Sequence, residues 1–166
     1  IGRGILVQDG ALVAVQDADF SMNREIAVTV IGQDTQFQAE QFYIFSTLFP
    51  LCKEQTQPTC GSDYADFADA ILILGGAQVE LSDFRIEDNG RVGIHLLDEN
   101  YTLTSQVGSP ILNAQDGSIL RNRIGVMLRA DDVGTQSFSA VGCFDNPETE
   151  DGCFSRVGVE VPGLEF

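Results

Sequence analysis

The 166-residue chain has little positive charge. Nine lysines and arginines stand against 25 aspartates and glutamates, and Lys53 is the sole lysine, so the formal net charge is −16. That balance opposes binding to nucleic acid or to an anionic membrane surface, both of which need clustered cations. One histidine is present, His95, and it lies far in sequence from the four cysteines, so the Cys/His spacing of a zinc site is missing. No apolar run approaches the ~18 residues of a membrane helix. No window sustains the i, i+3, i+4, i+7 apolar pattern of an amphipathic helix, and residues 37–49 come nearest to one. P-loop, GxGxxG, GxSxG and HExxH motifs are absent, and no nucleophile stands beside an identifiable base. The sequence therefore offers no catalytic residues.

What it offers is repetition. Residues 4–30 and 70–96 align without a gap, 66 residues apart. Ile5, Leu6, Gly10, Ala11, Val13, Asp17 and Asn23 recur as Ile71, Leu72, Gly76, Ala77, Val79, Asp83 and Asn89. A fixed-period repeat signals a stacked architecture. An apolar-x-x-Asn element appears as Phe20/Asn23, Ile86/Asn89 and Ile119/Asn122, and again as Cys143/Asn146. A degenerate copy runs from Thr35 to Ile44, 24 residues after Ala11 to Phe20. These spacings give a unit of about 24 residues, stacked roughly five times. Inserts lengthen the stack near 49–67, 97–108 and 147–155.

Each slot has a physical reading. Alternation such as Val13-x-Val15 marks a strand with one face inward. Gly10-Ala11 and Gly76-Ala77 suit tight turns. Asparagine tolerates left-handed backbone, and Asn23, Asn89 and Asn122 at one slot suggest a ladder of side-chain amides; isolated turn formers are the alternative. Phe20, Ile86 and Ile119 should stack in the core. His95, between Ile94 and Leu96, should point outward and be exposed.

Asp88-Asn89-Gly90-Arg91-Val92-Gly93-Ile94, Arg121-Asn122-Arg123-Ile124-Gly125-Val126 and Arg156-Val157-Gly158-Val159 close three units with one pattern. With the GAxVxVxDxxIxxN core, this resembles the right-handed parallel β-helix of the pectin-lyase-like superfamily, closest to secreted or surface β-helix repeat proteins of myxobacteria and related bacteria. The resemblance covers nearly the whole chain outside the inserts. It implies an all-β solenoid, with residues 1–166 a single domain from a longer chain. It does not supply a catalytic set. Asp131-Asp132 occurs without Gly-His-Gly, and Lys53 lies in an insert. Asp17 and Asp83 share a slot, but Gln41 interrupts it, which argues against a clustered calcium site there.

Cys52/Cys60 and Cys143/Cys153 each bracket a polar, Pro-containing stretch, which reads as two local disulfides and an oxidising compartment; four free thiols are the alternative. Arg24, Arg91, Arg123 and Arg156 each precede a closing strand. A column neutralised by neighbouring carboxylates, or a basic stripe for an acidic glycan, accounts for them. Asp145, Glu148, Glu150 and Asp151 make the densest acid loop, a candidate for calcium, with a solvated loop as the alternative. No other cofactor is expected. These features point to an extracellular or cell-surface structural or adhesive scaffold, or else to a polysaccharide-binding or polysaccharide-cleaving module. The expected partners are further copies stacked end to end, the rest of a longer β-helix, or a glycan.

Overall fold

The computed structural model describes residues 4–48, 68–97, 108–129, 136–149 and 153–155. The protein is all-β, and no helix occurs among these residues. Eleven strands follow in chain order: β1 (Ile5–Val7), β2 (Leu12–Ser21), β3 (Glu25–Ile31), β4 (Gln36–Phe45), β5 (Ala68–Leu74), β6 (Gln78–Glu87), β7 (Val92–Leu97), β8 (Ile111–Leu120), β9 (Ile124–Arg129), β10 (Gln136–Phe144) and β11 (Phe154–Ser155). Successive strands alternate between two sheets. One has the order β1-β3-β5-β7-β9-β11, the other β10-β8-β6-β4-β2. Every strand pairing in both is parallel. The arrangement is compatible with a β-helix. The stretch 37–49 that came nearest to helical spacing lies largely in β4.

The register turns the sequence repeat into columns. Phe20, Ile44, Ile86, Ile119 and Cys143 align across the second sheet. Ile44, Ile86 and Ile119 are fully buried there, while Phe20 on the outermost strand is half-buried. In the first sheet Ile5, Val28, Ile71, Ile94, Val126 and Phe154 align. The inward faces of both sheets meet in one apolar core. Phe42 sits in its middle, with ring centroids 5.3 Å from Phe20 and 5.6 Å from Phe37.

Two columns of left-handed residues bend the chain around this core. Asp17, Gln41, Asp83, Asp116 and Ala140 have φ between 48° and 54° and interrupt β2, β4, β6, β8 and β10 at one position. Met22, Ser46, Asp88, Arg121 and Asp145 do the same where each of those strands ends, with φ from 52° to 57°. Aspartate occupies three of five sites in the first column because Asp and Asn accept this conformation more readily than other non-glycine residues. The recurrence of Asp17 and Asp83 is thus conformational, and Asp116 continues it.

The middle strands of the first sheet, β3, β5 and β7, are buried on both faces. Beyond its inner surface, Ile26, Leu72 and Leu97 pack with Leu74, and Val92, Ile124 and Met127 form another cluster. His95 lies on this outer side, aligned between Leu72 and Met127, and has no solvent exposure. The expectation of an exposed histidine is therefore corrected. Alternation gave the face but not whether that face meets water.

Candidate functional site

Two polar constellations stand out, on different sheets. The first surrounds His95. Asp69 on β5 and His95 on β7 are fully buried, and Arg91, just before β7, is almost so. Arg91 Nε donates to Asp69 Oδ1 at 2.7 Å and Arg91 Nη2 to Asp69 Oδ2 at 2.5 Å, a two-pronged grip. His95 Nδ1 lies 3.0 Å from Asp69 Oδ2 and 3.3 Å from Arg91 Nη2. Facing an ionised carboxylate, Nδ1 carries the proton and donates. Burial alone would push the Asp69 carboxyl up. The Arg91 charge and the hydrogen bonds from His95 and Arg91 outweigh it and hold the group below its ordinary value. Three ionisable groups thus pair with one another inside an apolar layer. The cluster orients an imidazole, but it is closed to solvent.

The second constellation is open. On the outer face of the second sheet, Ala14, Gln38, Glu80, Asn113 and Ser137 align, as do Gln16, Glu40, Ser82, Gln115 and Ser139. These two columns line a shallow groove of about 770 Å³. Amides and hydroxyls dominate it. Glu40 and Glu80 are exposed in it, and neither forms an ion pair among the described residues. They occupy diagonal positions on adjacent strands, about 7–8 Å apart along the backbone lattice. Sequence reasoning missed this pair. Each is an ordinary outward residue of an alternating strand, and only the register brings them together.

The asparagine slot is a bonded row. Thr47 N donates to Asn89 Oδ1 at 3.0 Å, Asn89 Nδ2 to Asn122 Oδ1 at 2.9 Å, and Asn122 N to Asn146 Oδ1 at 3.1 Å. Asn122 Nδ2 reaches the Leu120 carbonyl, and Asn146 Nδ2 the Ile119 carbonyl. Asn23 lies beyond Thr47, and its Nδ2 is buried without a hydrogen-bond partner among the described residues. Small residues make room for the row. A Cβ on Gly125 would stand 3.1 Å from Asn146 Nδ2 and 2.7 Å from the Cys153 carbonyl oxygen.

The arginines do not share one environment. Arg91 is buried against Asp69, whereas Arg123, aligned with it one strand away, is exposed and bonds Glu148 at 2.9 Å. Arg24 bridges Leu48 through its backbone. Arg156 lies outside the described residues. Arg121, at a bend, holds Glu87 at 2.8 Å and Asp88 at 2.7 Å. Its hydrogen bonds hold the Asp88 carboxyl below the ordinary value.

Of the calcium candidates, Asp145 sits in the second left-handed column and Glu148 is engaged by Arg123. Glu150 and Asp151 lie outside the described residues. No three His, Cys, Asp or Glu side chains converge as metal ligands among the described residues. Cys143 and Cys153 form a disulfide, with Cα atoms 5.1 Å apart. Cys52, Cys60, Lys53 and Asp131-Asp132 fall outside the described residues, as do most of the inserts. No helix of the described residues is long and apolar enough to cross a membrane.

No protein-family model, curated protein or solved structure shows significant similarity to the chain.

Proposed function

We propose that the chain is a right-handed parallel β-helix of about five coils that serves as a structural or adhesive scaffold outside the cell or on its surface. The observation that carries this reading is the continuous parallel register through six strands of one sheet and five of the other. Such a stack builds a rod whose turns and inserts can vary while its core stays constant. The Asn89–Asn122–Asn146 row and the Cys143–Cys153 bridge support it, since both tie neighbouring layers or loops of the same stack. Bacterial origin, secretion, end-to-end association and membership of a longer rod belong to the proposal.

The groove favours a second reading, a polysaccharide-binding or polysaccharide-cleaving module. Amides and hydroxyls bond sugar hydroxyls, and paired carboxylates about 5–9.5 Å apart serve glycoside hydrolysis. A panel of plant and bacterial polysaccharides separates the two. The scaffold reading expects no release of reducing ends or unsaturated sugars from any of them, and slow digestion of the folded chain by proteases. Turnover that disappears in Glu40→Gln or Glu80→Gln overturns the scaffold reading in favour of the enzyme.

A further inference from the structure

We propose that Tyr43, with Phe45 beside it, is a stacking site for neutral pyranose units, separate from the Glu40–Glu80 groove; the proposal rests on the adhesive part of the scaffold reading. Both side chains point outward from β4, two residues apart, and each is 38% exposed. They line a recess of about 270 Å³ together with Asp19, Arg85 and Glu87. The ring contacts among the described residues are Phe20–Phe42, Phe37–Phe42 and Phe138–Phe154, so neither Tyr43 nor Phe45 is covered by another ring.

The flanking groups decide the ligand chemistry. Tyr43 aligns with Asp19 on β2 and with Arg85 on β6, each about 4.8 Å away across the sheet. An aromatic face between a carboxylate and a guanidinium suits a pyranose. Its C–H face packs on the ring while its hydroxyls bond the polar groups on either side. The charge of Arg85 is already engaged by Glu87, at 2.6 Å. Asp19 has no ion-pair partner among the described residues. The patch therefore carries an excess negative charge on a chain of net charge −16. A polyuronate is repelled, and an uncharged glycan is not.

The test uses the whole chain with cellohexaose, mannohexaose and laminarihexaose as neutral probes and a galacturonate hexamer as the anionic one. Binding is read by saturation-transfer NMR and calorimetry. At least one neutral hexasaccharide should bind, with transfer from Tyr43 and Phe45. Tyr43→Ala should weaken it about tenfold, Tyr43→Phe should retain it, and the Glu40→Gln/Glu80→Gln double variant should leave it intact. Asp19→Asn reads the same site if Tyr43→Ala fails to fold, and should also weaken binding. No binding of any neutral probe, binding unchanged in Tyr43→Ala or in Asp19→Asn, loss in the groove variant, or tighter binding of the galacturonate overturns the proposal. The scaffold reading stands or falls separately, on protease resistance and polysaccharide turnover.

Discussion

Asn122 Oδ1 accepts two hydrogen bonds from Asn89, one from its backbone N–H at 3.1 Å and one from its side-chain Nδ2 at 2.9 Å. A single side-chain oxygen thus satisfies two buried donors of the neighbouring layer. Asn122→Ala leaves both without an acceptor, and the expected loss of stability is about 2–4 kcal/mol. Urea unfolding followed by circular dichroism measures it. A loss under half a kilocalorie would mean that other groups take over these donors.

Gly117 and Phe84 are paired by shape. They align on neighbouring strands, and the Phe84 ring fills the place a Cβ on Gly117 would need. Phe84 is buried. Gly117→Val must displace the ring, and the overpacking should cost about 1–3 kcal/mol. Phe84→Ala should cost more, about 3–5 kcal/mol, because it empties the core. The double variant Gly117→Val/Phe84→Leu should recover part of the loss, which a thermal melt of the three proteins can read.

The buried carboxyl sets an acid limit. Asp69 is held below its ordinary value of 3.8, so its stabilising contribution is fully present above that value and is lost as pH falls through the lower folded one. Neutral pH should leave this contribution unchanged. Asp69→Asn removes the carboxylate that Arg91 grips, and removing one partner of a buried pair costs about 3–5 kcal/mol. The variant should be much less stable at pH 7 and lose less than the parent between pH 5 and pH 2. Unfolding midpoints across that range decide it; parallel curves would show that Asp69 does not carry the acid response.

The columns were readable in the sequence because stacking repeats the same demand at each layer. Phe20, Ile44, Ile86, Ile119 and Cys143 are all apolar because one core position recurs, and the residues chosen for it differ only in size. His95 and Glu40/Glu80 were not readable, for opposite reasons. His95 alternates like an outward residue, but Thr29, Leu72 and Met127 in the same column are buried too. The near-continuous apolar runs Ala70–Leu74 and Gly93–Leu97 were the available signal, since a strand with one wet face alternates. Glu40 and Glu80 are 40 positions apart in sequence numbering and meet only through the register of β4 and β6. Arg91 and Arg123 show the same limit, since alignment places them in one slot while only the first is buried, against Asp69.

The disulfide closes the loop that carries Asn146, the last asparagine of the bonded row. Residues 143 and 153 are 10 apart in sequence. Closing so short a loop is worth about 2–3 kcal/mol. Reduction, or Cys143→Ser, should lower stability by that amount and weaken protection of the Asn122 amide, which donates to Asn146 Oδ1. Hydrogen exchange with and without reductant checks this. Unchanged protection at Asn122 would mean that the Glu148 N–H to Arg123 carbonyl bond and the Arg123–Glu148 pair hold the loop unaided.

The asparagine row has one gap, and filling it should strengthen the stack. Thr47 occupies the slot between Asn23 and Asn89, following Ser46, whose left-handed φ of 57° matches that of the residue before each asparagine. The backbone at this slot is therefore already suited to asparagine. Among the described residues Thr47 Oγ1 is buried without a partner, and so is Asn23 Nδ2 on the adjacent layer. In Thr47→Asn the new Oδ1 meets the donor that Asn23 lacks a use for, and the new Nδ2 reaches Asn89 Oδ1 as Asn89 Nδ2 reaches Asn122 Oδ1. One hydrogen bond of this kind contributes about 0.5–1.5 kcal/mol, and relieving a buried unsatisfied donor adds to it. The substitution should raise the urea midpoint without changing the slope of the transition, and Asn23→Ala should cancel most of the gain. A midpoint that falls, or a gain that survives Asn23→Ala, would show that the slot rejects asparagine or stabilises it by some other contact.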